Sequence, residues 1–434
     1  MREIISNNEL LYNYNHLKIN NPNQIPEKIY IWDETLRDGE QTPGVNLSFE
    51  QKLDIAKLLD EIGVSVIAVG FPAVSESEKK IVNEIAKEKF RAKIAAPARA
   101  KISDIDDSLQ CDIDEIPIFF PTSKLALKKV LNKDINESMK IVSKAIEYAV
   151  DHGVITDFVA MDASRTEFDM LLNFFHTAID SGVNKIIIAD TVGIMRPLAM
   201  SNLIKNLREN EIIKKSTTSI HAHNDFGLAV SNTLAGIEMG ANFPHVCVNG
   251  YGERSGNASL EEMVLALEIL YNKKTLKKEK IFELSKLVEE YFGLPISVHH
   301  PVTGFNSFCH ESGLHVDAIL RGGPETIEPF DPRIIGRQRH FYMGKFSGRK
   351  NIEWILDKLG IKANPEQVLK ILYQVKSKDI RNSIKKSKEL MNLFEEKINQ
   401  TYRAFSALEF LKIVEEVTKQ KISISKLTEY NEVI

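Results

Sequence analysis

Two histidines and one aspartate have the residue types and the spacing of a metal site. His221 and His223 stand two residues apart at the end of an apolar run, 219–222. In an extended chain, residues i and i+2 point to the same side, so both imidazoles can approach one ion. Asp38 follows another apolar run and would complete a set of two histidines and one carboxylate. Such a set leaves coordination positions open for substrate oxygens.

The segment that carries Asp38 changes character abruptly. An apolar, extended run at 28–32 is followed at 33–41 by the sequence DETLRDGEQ, whose charged residues stand directly against the run. Unpaired charges beside a buried strand are costly, and α/β barrels place their chemistry at the carboxyl ends of the strands. We therefore predict a buried strand that opens into a functional loop, with a structural cluster of ion pairs as the alternative.

Two further segments place polar residues after apolar runs. The run at 186–189 ends in Asp190 and Thr191, and a glycine-rich loop with the sequence VNGYGERSGNA occupies 248–258. By itself Asp190 is as well explained as a cap for the next turn. A lone Gly-x-Gly pattern is likewise weak support for a site.

The apolar runs alternate with segments of helical periodicity, a pattern typical of βα units. Eight such units within 29–272 predict an α/β fold, a closed parallel (β/α)8 TIM barrel, more strongly than an open sheet. The predicted strands are 29–33, 64–70, 92–96, 115–119, 158–162, 185–190, 219–222 and 245–249. The predicted helices are 50–62, 76–88, 135–151, 167–181, 199–209, 229–239 and 261–271.

Outside the barrel the sequence suggests three further segments. Residues 1–28 are asparagine-rich and predict an N-terminal arm. Proline and glycine are frequent in 273–349, which predicts an irregular linker subdomain. Residues 350–434 have the periodicity of charged helices and predict a helical C-terminal subdomain, with its lysine-rich stretches on solvated faces.

Composition excludes several classes of function. The formal net charge is −4, which gives no basic footprint for nucleic acid. No apolar span of about 20 residues and no signal peptide is apparent, so we expect a cytoplasmic protein without membrane contact. The cysteines Cys111, Cys247 and Cys309 are scattered, which indicates reduced thiols and not a disulfide framework or a zinc cluster.

Several of these segments together resemble one enzyme family. The sequence at 33–41, the HAHND sequence at 221–225, the glycine-rich loop and the segments 308–316 and 344–348 are similar to motifs of the metal-dependent acyl-CoA Claisen condensation family. Its members include isopropylmalate, homocitrate and citramalate synthases, with hydroxymethylglutaryl-CoA lyase as a more distant relative. The resemblance covers residues 29–349 and implies acetyl-CoA and a 2-oxo acid as substrates.

The resemblance also implies roles for individual residues. Arg37 would stabilise the enolate oxygen, and His315, in a linker lent to the other subunit of a homodimer, would take part in proton transfer. A water held by Glu40 or Asp162 is the alternative for that transfer. The implied metal set is Asp38, His221, His223 and Asn257. The implied substrate-binding set is Gln41, Met161, Asp162, Thr191, Gly252 and Glu253. Oxygen-rich, open coordination favours Mg²⁺ or Mn²⁺ over Zn²⁺.

Four positions depart from the family pattern. Met161 stands where the family has a glutamate, and Asp157 stands where homocitrate synthases have an arginine for a distal carboxylate. Ala126 replaces a histidine and Ile327 replaces a tyrosine. Because methionine is neither an acid nor a base, these changes suggest an altered 2-oxo acid. With Asp157 facing the pocket, a neutral or cationic tail would fit better than a second carboxylate, and we expect pyruvate or a branched, uncharged 2-oxo acid to be preferred over 2-oxoglutarate. If Asp157, Val159 and Met161 face the pocket, they do so together, since strand residues alternate.

Two other functions stay open at this point. A lyase that cleaves the carbon–carbon bond would use a cysteine near the glycine-rich loop, where Cys247 stands. A catalytically silent binding or regulatory protein on the same scaffold would explain Met161 and Ala126. The intact set of Arg37, Asp38 and the two histidines favours the synthase over both.

Overall fold

The strands of the computed structural model form one closed parallel barrel. The structure describes residues 13–17 and 24–377. The sheet order is β3-β2-β1-β9-β8-β7-β6-β5-β4, and a pairing of β3 with β5 closes it. β3 and β4 pair with the same neighbour, so they act as one interrupted barrel strand. The barrel strands are β1 Trp32–Asp33, β2 Val66–Ala68, β3 Lys93–Ala95, β4 Ala98–Arg99, β5 Glu115–Pro121, β6 Ile155–Met161, β7 Lys185–Asp190, β8 Thr217–Ala222 and β9 Phe243–Val246. The predicted TIM barrel is confirmed.

Helices cross over between these strands and continue after the last one. They begin and end where the sequence provides caps: Ser48 and Asp134 each open a helix with a capping box, and Gly63 ends the first in the left-handed region. The helices are α1 Phe49–Ile62, α2 Glu76–Ala86, α3 Ile102–Leu109, α4 Lys124–Ala126, α5 Ile135–Asp151, α6 Phe168–Asp180, α7 Pro197–Glu209, α8 Ala229–Glu238, α9 Leu260–Tyr271, α10 Ile281–Phe292, α11 Gly313–Gly322, α12 Arg349–Lys358 and α13 Pro365–Ser377.

The amino-terminal ends of β5, β6 and β7 meet in a buried cluster of charges. Lys185 donates to Asp157 at 3.2 Å and to Glu115, and all three side chains are buried. The Lys185 Nζ also lies 5.4 Å from the ring centre of Trp32. Burial raises the pKa of Asp157 well above its ordinary value, and the neighbouring Glu115 adds to the rise. The floor of the barrel therefore consists of one lysine held between two carboxyl groups.

The stretch predicted as an irregular linker contains two helices, α10 and α11. It also contains a small parallel pair of strands, β10 Cys309–His310 and β11 His340–Phe341. Proline and glycine in this stretch stand mainly between these elements, which is why composition alone gave no helices here. The N-terminal arm beyond 13–17 and 24–28, and the lysine-rich stretches after 377, lie outside the described residues.

All the helices and strands above belong to one compact unit, which comprises residues 1–42 and 47–379. A second unit comprises 43–46 and 380–434, of which the structure describes only the first four residues. The predicted division into four segments stays a prediction. Within the described ranges no helix has both the length and the apolar character needed to cross a membrane.

Candidate active site

Arg37 and Asp38 lie on a single π-helical turn, Thr35–Gly39, directly after β1. The Gly39 N–H donates to the Glu34 carbonyl at 2.9 Å and closes the turn. Asp33 anchors the turn by accepting from the Thr35 N–H and hydroxyl, each at 2.9 Å. The abrupt change from apolar to charged residues in the sequence thus marks the point where the strand ends and the turn aims two opposite charges into the barrel mouth.

Asp38, His221 and His223 converge at this mouth. One ligand atom from each lies within 4.8 Å of the other two, and the two Nε2 atoms are 3.3 Å apart. Burial lowers the pKa of His221 to about 3 and lowers that of His223. Burial pushes the pKa of Asp38 upward, but Arg37 and the two imidazoles bring it below its ordinary value. The trio therefore presents two neutral imidazoles and one carboxylate.

This set of donors fits a divalent cation. His223 Nδ1 and Asn257 Oδ1 are buried and have no hydrogen-bond partner in the described part of the chain, an unfavourable state for polar atoms. Asn257 also donates to an Asp38 oxygen, so it borders the same point. Imidazole nitrogens and a carboxylate that converge on one point are a donor set that metal ions bind in proteins.

A second acid–histidine pair lies beside the trio, and sequence analysis missed it. Glu34 accepts from His245 at 2.9 Å and from Arg37 Nε at 2.7 Å. One ligand atom from each of Glu34, His221 and His245 also lies within 4.8 Å of the other two. The residues that pair are 211 positions apart, so only the closure of β1 against β9 brings them together. The sequence placed His245 in the predicted strand 245–249 but offered no pattern that linked it to Glu34.

The glycine-rich loop closes over the trio from the other side. A Cβ on Gly252 would lie 2.9 Å from an Asp38 oxygen, and its φ of +149° also favours glycine. Arg254 makes two hydrogen bonds to Asp225, at 2.8 and 2.9 Å, and a third to the Thr191 carbonyl at 2.7 Å. These contacts hold the loop against the ends of β7 and β8.

A cavity of about 250 Å³ lies within the barrel mouth and has two differing parts. The polar walls come from the β1 turn, from the ends of β7, β8 and β9 and from the glycine-rich loop. They comprise Glu34, Arg37, Asp38, Gln41, Thr191, His221, His223, His245, Glu253 and Arg254. The apolar walls come chiefly from β5, β6 and β7. They comprise Phe71, Pro97, Pro117, Phe119, Val159, Met161, Ile187 and Ala189.

Some predicted site residues lie outside the walls of this cavity. Glu40 forms an ion pair with the buried Lys52 at 2.6 Å. Asp162 accepts from Arg165 at 2.7 and 2.9 Å, and its own N–H donates to the Thr191 hydroxyl at 2.8 Å. His315 is exposed on α11. Their assigned roles in proton transfer therefore stay predictions.

Asp157 is also absent from the walls, although Val159 and Met161 on the same strand face are present. The alternation of strand residues correctly predicted that Val159 and Met161 point to the same side of β6. Asp157 stands nearer the start of the strand, where it pairs with Lys185 and not with anything in the cavity. It therefore cannot repel a substrate by direct contact.

The sequence also matches models of known domains. Residues 28–288 match the HMGL-like model, which covers the barrel and the site just described. The chain belongs to the HMGL-like family. Residues 302–383 match a second model, the homocitrate synthase post-HMGL domain-like model. That match spans α11 to α13, so family membership extends beyond the barrel.

Curated members of the family with three different names are about equally similar to the chain. A probable 2-isopropylmalate synthase of Ignicoccus hospitalis is 44% identical over 81% of this chain and 88% of its own length. An (R)-citramalate synthase of Methanocaldococcus jannaschii is 42% identical over 80% and 70%. A homocitrate synthase of Methanopyrus kandleri is 43% identical over 81% and 88%. The chain is an enzyme of this synthase type. The similar sequence identities do not show which of the three synthases it resembles in its substrate.

Solved structures of HMG-CoA lyases share the fold at low identity. The lyase of Bacillus subtilis superposes with a TM-score of 0.57 at 22% identity, over 63% of this chain and 97% of the lyase. That of Pseudomonas aeruginosa gives 0.57 at 18% identity, over 63% and 95%. These matches support the barrel and carry no information about substrate.

Proposed function

We propose that the enzyme condenses acetyl-CoA with a 2-oxo acid that has an uncharged tail, and that water then cleaves the new thioester to release CoA. The single observation that carries this proposal is the division of the cavity. Its polar part holds Arg37 beside the Asp38–His221–His223 trio, and its remaining walls are apolar. Curated relatives that carry synthase names support the reaction type.

Asp38, His221 and His223 would hold a divalent cation, for which we propose Mg²⁺ or Mn²⁺ before Zn²⁺. When bound, it would supply Lewis-acid polarisation and a template for the keto oxygen and the carboxylate. The Thr191 hydroxyl accepts from the Asp162 N–H at 2.8 Å, so its own proton is free to donate to a substrate carboxylate oxygen. This contact would orient the 2-oxo acid.

Arg37 would stabilise the negative charge on the enolate oxygen of acetyl-CoA. Its Nε is fixed by Glu34 at 2.7 Å, and its Nη1 donates to Asp38 and Gln41, each at 3.3 Å. A guanidinium held at three points needs little reorganisation when charge develops beside it. Arg37 is therefore held in position before the substrate binds.

The tail of the 2-oxo acid would lie against the apolar walls. The two arginines of the cavity are already paired, Arg37 with Glu34 and Arg254 with Asp225. Arg99 and Lys124 pair with Asp104 and Glu167 and are not wall residues. Within the described part of the chain, no unpaired arginine or lysine in these walls is ready to receive a distal carboxylate.

We expect pyruvate or a branched, uncharged 2-oxo acid to outperform 2-oxoglutarate in CoA release. A dicarboxylate would leave its distal charge without a partner, which costs roughly tenfold to over a hundredfold in selectivity. Thiol release from acetyl-CoA, measured as kcat/KM over a panel of 2-oxo acids, tests both reaction and tail. A clear preference for 2-oxoglutarate would contradict the tail assignment, and no CoA release with any member would contradict the reaction.

The lyase alternative loses support in the structure. Cys247 is fully buried behind the glycine-rich loop, and its Sγ lies 3.3 Å from the Asn257 amide nitrogen. A reactive cysteine needs access and an electropositive setting. The silent-scaffold alternative is disfavoured because the Asp38–His221–His223 trio is assembled.

We also propose a homodimer in which the segment around His310–His315 reaches the mouth of the partner's barrel. The motive in the structure is that His315 is exposed and that its neighbours are apolar: Leu314 is 83% exposed and Phe346 is 70% exposed. Exposed apolar residues in one segment mark an interaction surface. This arrangement would bring His315 to a cavity where a group for proton transfer is needed.

Leu314→Asp should raise the dissociation constant of the dimer by at least about tenfold. The substitution places a charge where the proposed symmetric interface would bury a leucine in both copies. Sedimentation equilibrium at several protein concentrations measures this dissociation constant. The matched control is Leu198→Asp, which changes a leucine that is 67% exposed at the start of α7. A wild-type monomer with full activity would count against the dimer.

A further inference from the structure

His245 is a cavity residue to which the proposed reaction assigns no role. Its Nδ1 lies 2.9 Å from Glu34 Oε1, and both side chains are buried. The second oxygen of Glu34 accepts from Arg37 Nε at 2.7 Å. A carboxylate that already accepts from a guanidinium is an acceptor for the imidazole as well, so Nδ1 of His245 carries the hydrogen.

This arrangement leaves the other ring nitrogen without a partner. In a neutral imidazole with hydrogen on Nδ1, Nε2 presents a lone pair. The Nε2 of His245 is buried and has no hydrogen-bond partner among the described residues. Because the ring also belongs to the cavity wall, this lone pair is available to whatever fills the cavity.

The ring of His245 lies on the deep side of the cavity. It stacks on Trp32 with 4.6 Å between ring centres and 9° between planes, and Trp32 is fully buried. Lys185 of the charged floor lies 5.4 Å from the ring centre of Trp32. His245 therefore stands between the barrel floor and the Asp38–His221–His223 trio, with its ring centre 5.6 Å from that of His221.

The reacting end of a 2-oxo acid cannot satisfy this nitrogen. Its ionised carboxylate and its keto oxygen are acceptors, and the lone pair needs a donor. The apolar walls from β5 and β6 offer none. A hydrogen-bond donor on the substrate tail is the group that would complete the pair.

A metal at this second position is disfavoured by the bonds already present. Glu34, His221 and His245 have ligand atoms within 4.8 Å of one another. Both oxygens of Glu34 are engaged, one by Arg37 and one by His245. A cation there would compete with the contact that fixes Arg37 Nε.

We propose that His245, oriented by Glu34, is a specificity-determining residue that accepts a hydrogen bond from a hydroxyl group on the tail of the 2-oxo acid. This inference rests on the proposed condensation and narrows its substrate class to uncharged 2-oxo acids with a hydroxyl-bearing tail. Sites that hydrogen-bond a substrate hydroxyl discriminate strongly against the analogue that lacks it.

The test compares pairs of substrates that differ by a hydroxyl against a methyl group. One pair is 3-hydroxypyruvate and 2-oxobutanoate, and the longer pair is 4-hydroxy-2-oxobutanoate and 2-oxopentanoate. We expect the hydroxylated member of at least one pair to have a kcat/KM for CoA release at least about tenfold higher. Ratios at or below one for both pairs would overturn the inference while leaving the condensation intact. No CoA release with any 2-oxo acid, pyruvate included, would overturn both.

His245→Phe keeps an aromatic ring against Trp32 and removes the accepting nitrogen. We expect the ratio within the preferred pair to fall toward one, and the content of bound divalent metal to stay at the wild-type level. Met161→Leu is the control, since it changes an apolar wall and should alter both members of a pair by similar factors. A ratio unchanged in His245→Phe, or loss of the metal, would overturn the assignment.

Discussion

His223→Ala is expected to remove the bound divalent cation and to reduce CoA release by at least about a hundredfold, with the fold retained. Residues that merely support a metal ligand already contribute 10- to 100-fold to metal affinity, so loss of a ligand should cost no less. His223 is buried beside Asp38 and His221, and the substitution removes one of the three donors. Metal content by atomic emission and thiol release from acetyl-CoA measure the two effects.

A matched control is His176→Ala. His176 is a histidine of α6 whose Nε2 lies 3.1 Å from Asn210, far from the cavity walls. This variant should keep both metal and activity. A His223→Ala protein that binds a full complement of metal and works at the wild-type rate would refute the ligand assignment.

Lys185→Met is expected to lower the free energy of unfolding by about 3–5 kcal/mol, the usual cost of breaking a buried ion pair by removing one partner. Lys185 is the cation that stands between Glu115 and Asp157 in the barrel floor. Without it Glu115 would stay buried beside Asp157, and the cation nearest to it among the described residues would be Lys93, at 3.9 Å. Urea denaturation followed by circular dichroism measures the loss, and a loss below about 1 kcal/mol would contradict this account.

Asp157→Asn is the matched variant in the same cluster. Because burial and Glu115 raise the pKa of Asp157 in the folded protein, the folded protein keeps a proton that the unfolded chain loses at lower pH. Stability of the wild type should therefore fall as pH rises above the ordinary carboxyl pKa. An asparagine resembles the protonated acid, so this variant should lose little stability at neutral pH and should show a flatter dependence on pH.

Local patterns predicted the regular elements well. The strand 185–190 and the helix 135–151 have the same bounds in the structure, because an uninterrupted apolar run and a capping box each specify their element locally. The spacing of His221 and His223 was also sufficient to place both rings on one side of β8. The third member, Asp38, followed from the expectation that strand ends meet at one mouth of a barrel.

The sequence could not predict how deep a side chain lies in the barrel or which distant residues pair. The alternation of strand residues predicted that Asp157 points into the barrel, but not how deep in the barrel it lies. That depth depends on the strand register, which places Asp157 opposite Lys185. The pair of Glu34 and His245 depends on how β1 and β9 close the barrel. Neither residue stands in a pattern that singles it out, since one adjoins other charges and the other lies in an otherwise apolar strand.

The two kinds of cavity wall come from largely separate stretches of the chain, and this has a consequence for evolution. Arg37 and the Asp38–His221–His223 trio lie after β1 and at the end of β8, whereas most of the apolar walls lie on β5, β6 and β7. Mutation can therefore exchange Val159, Met161 or Ile187 without touching a reacting group. In a family with this arrangement, a few substitutions in the apolar walls can change the substrate, while the rest of the sequence diverges independently of the substrate. Such a history would account for relatives that are named for three different products and yet are all 42–44% identical to this chain.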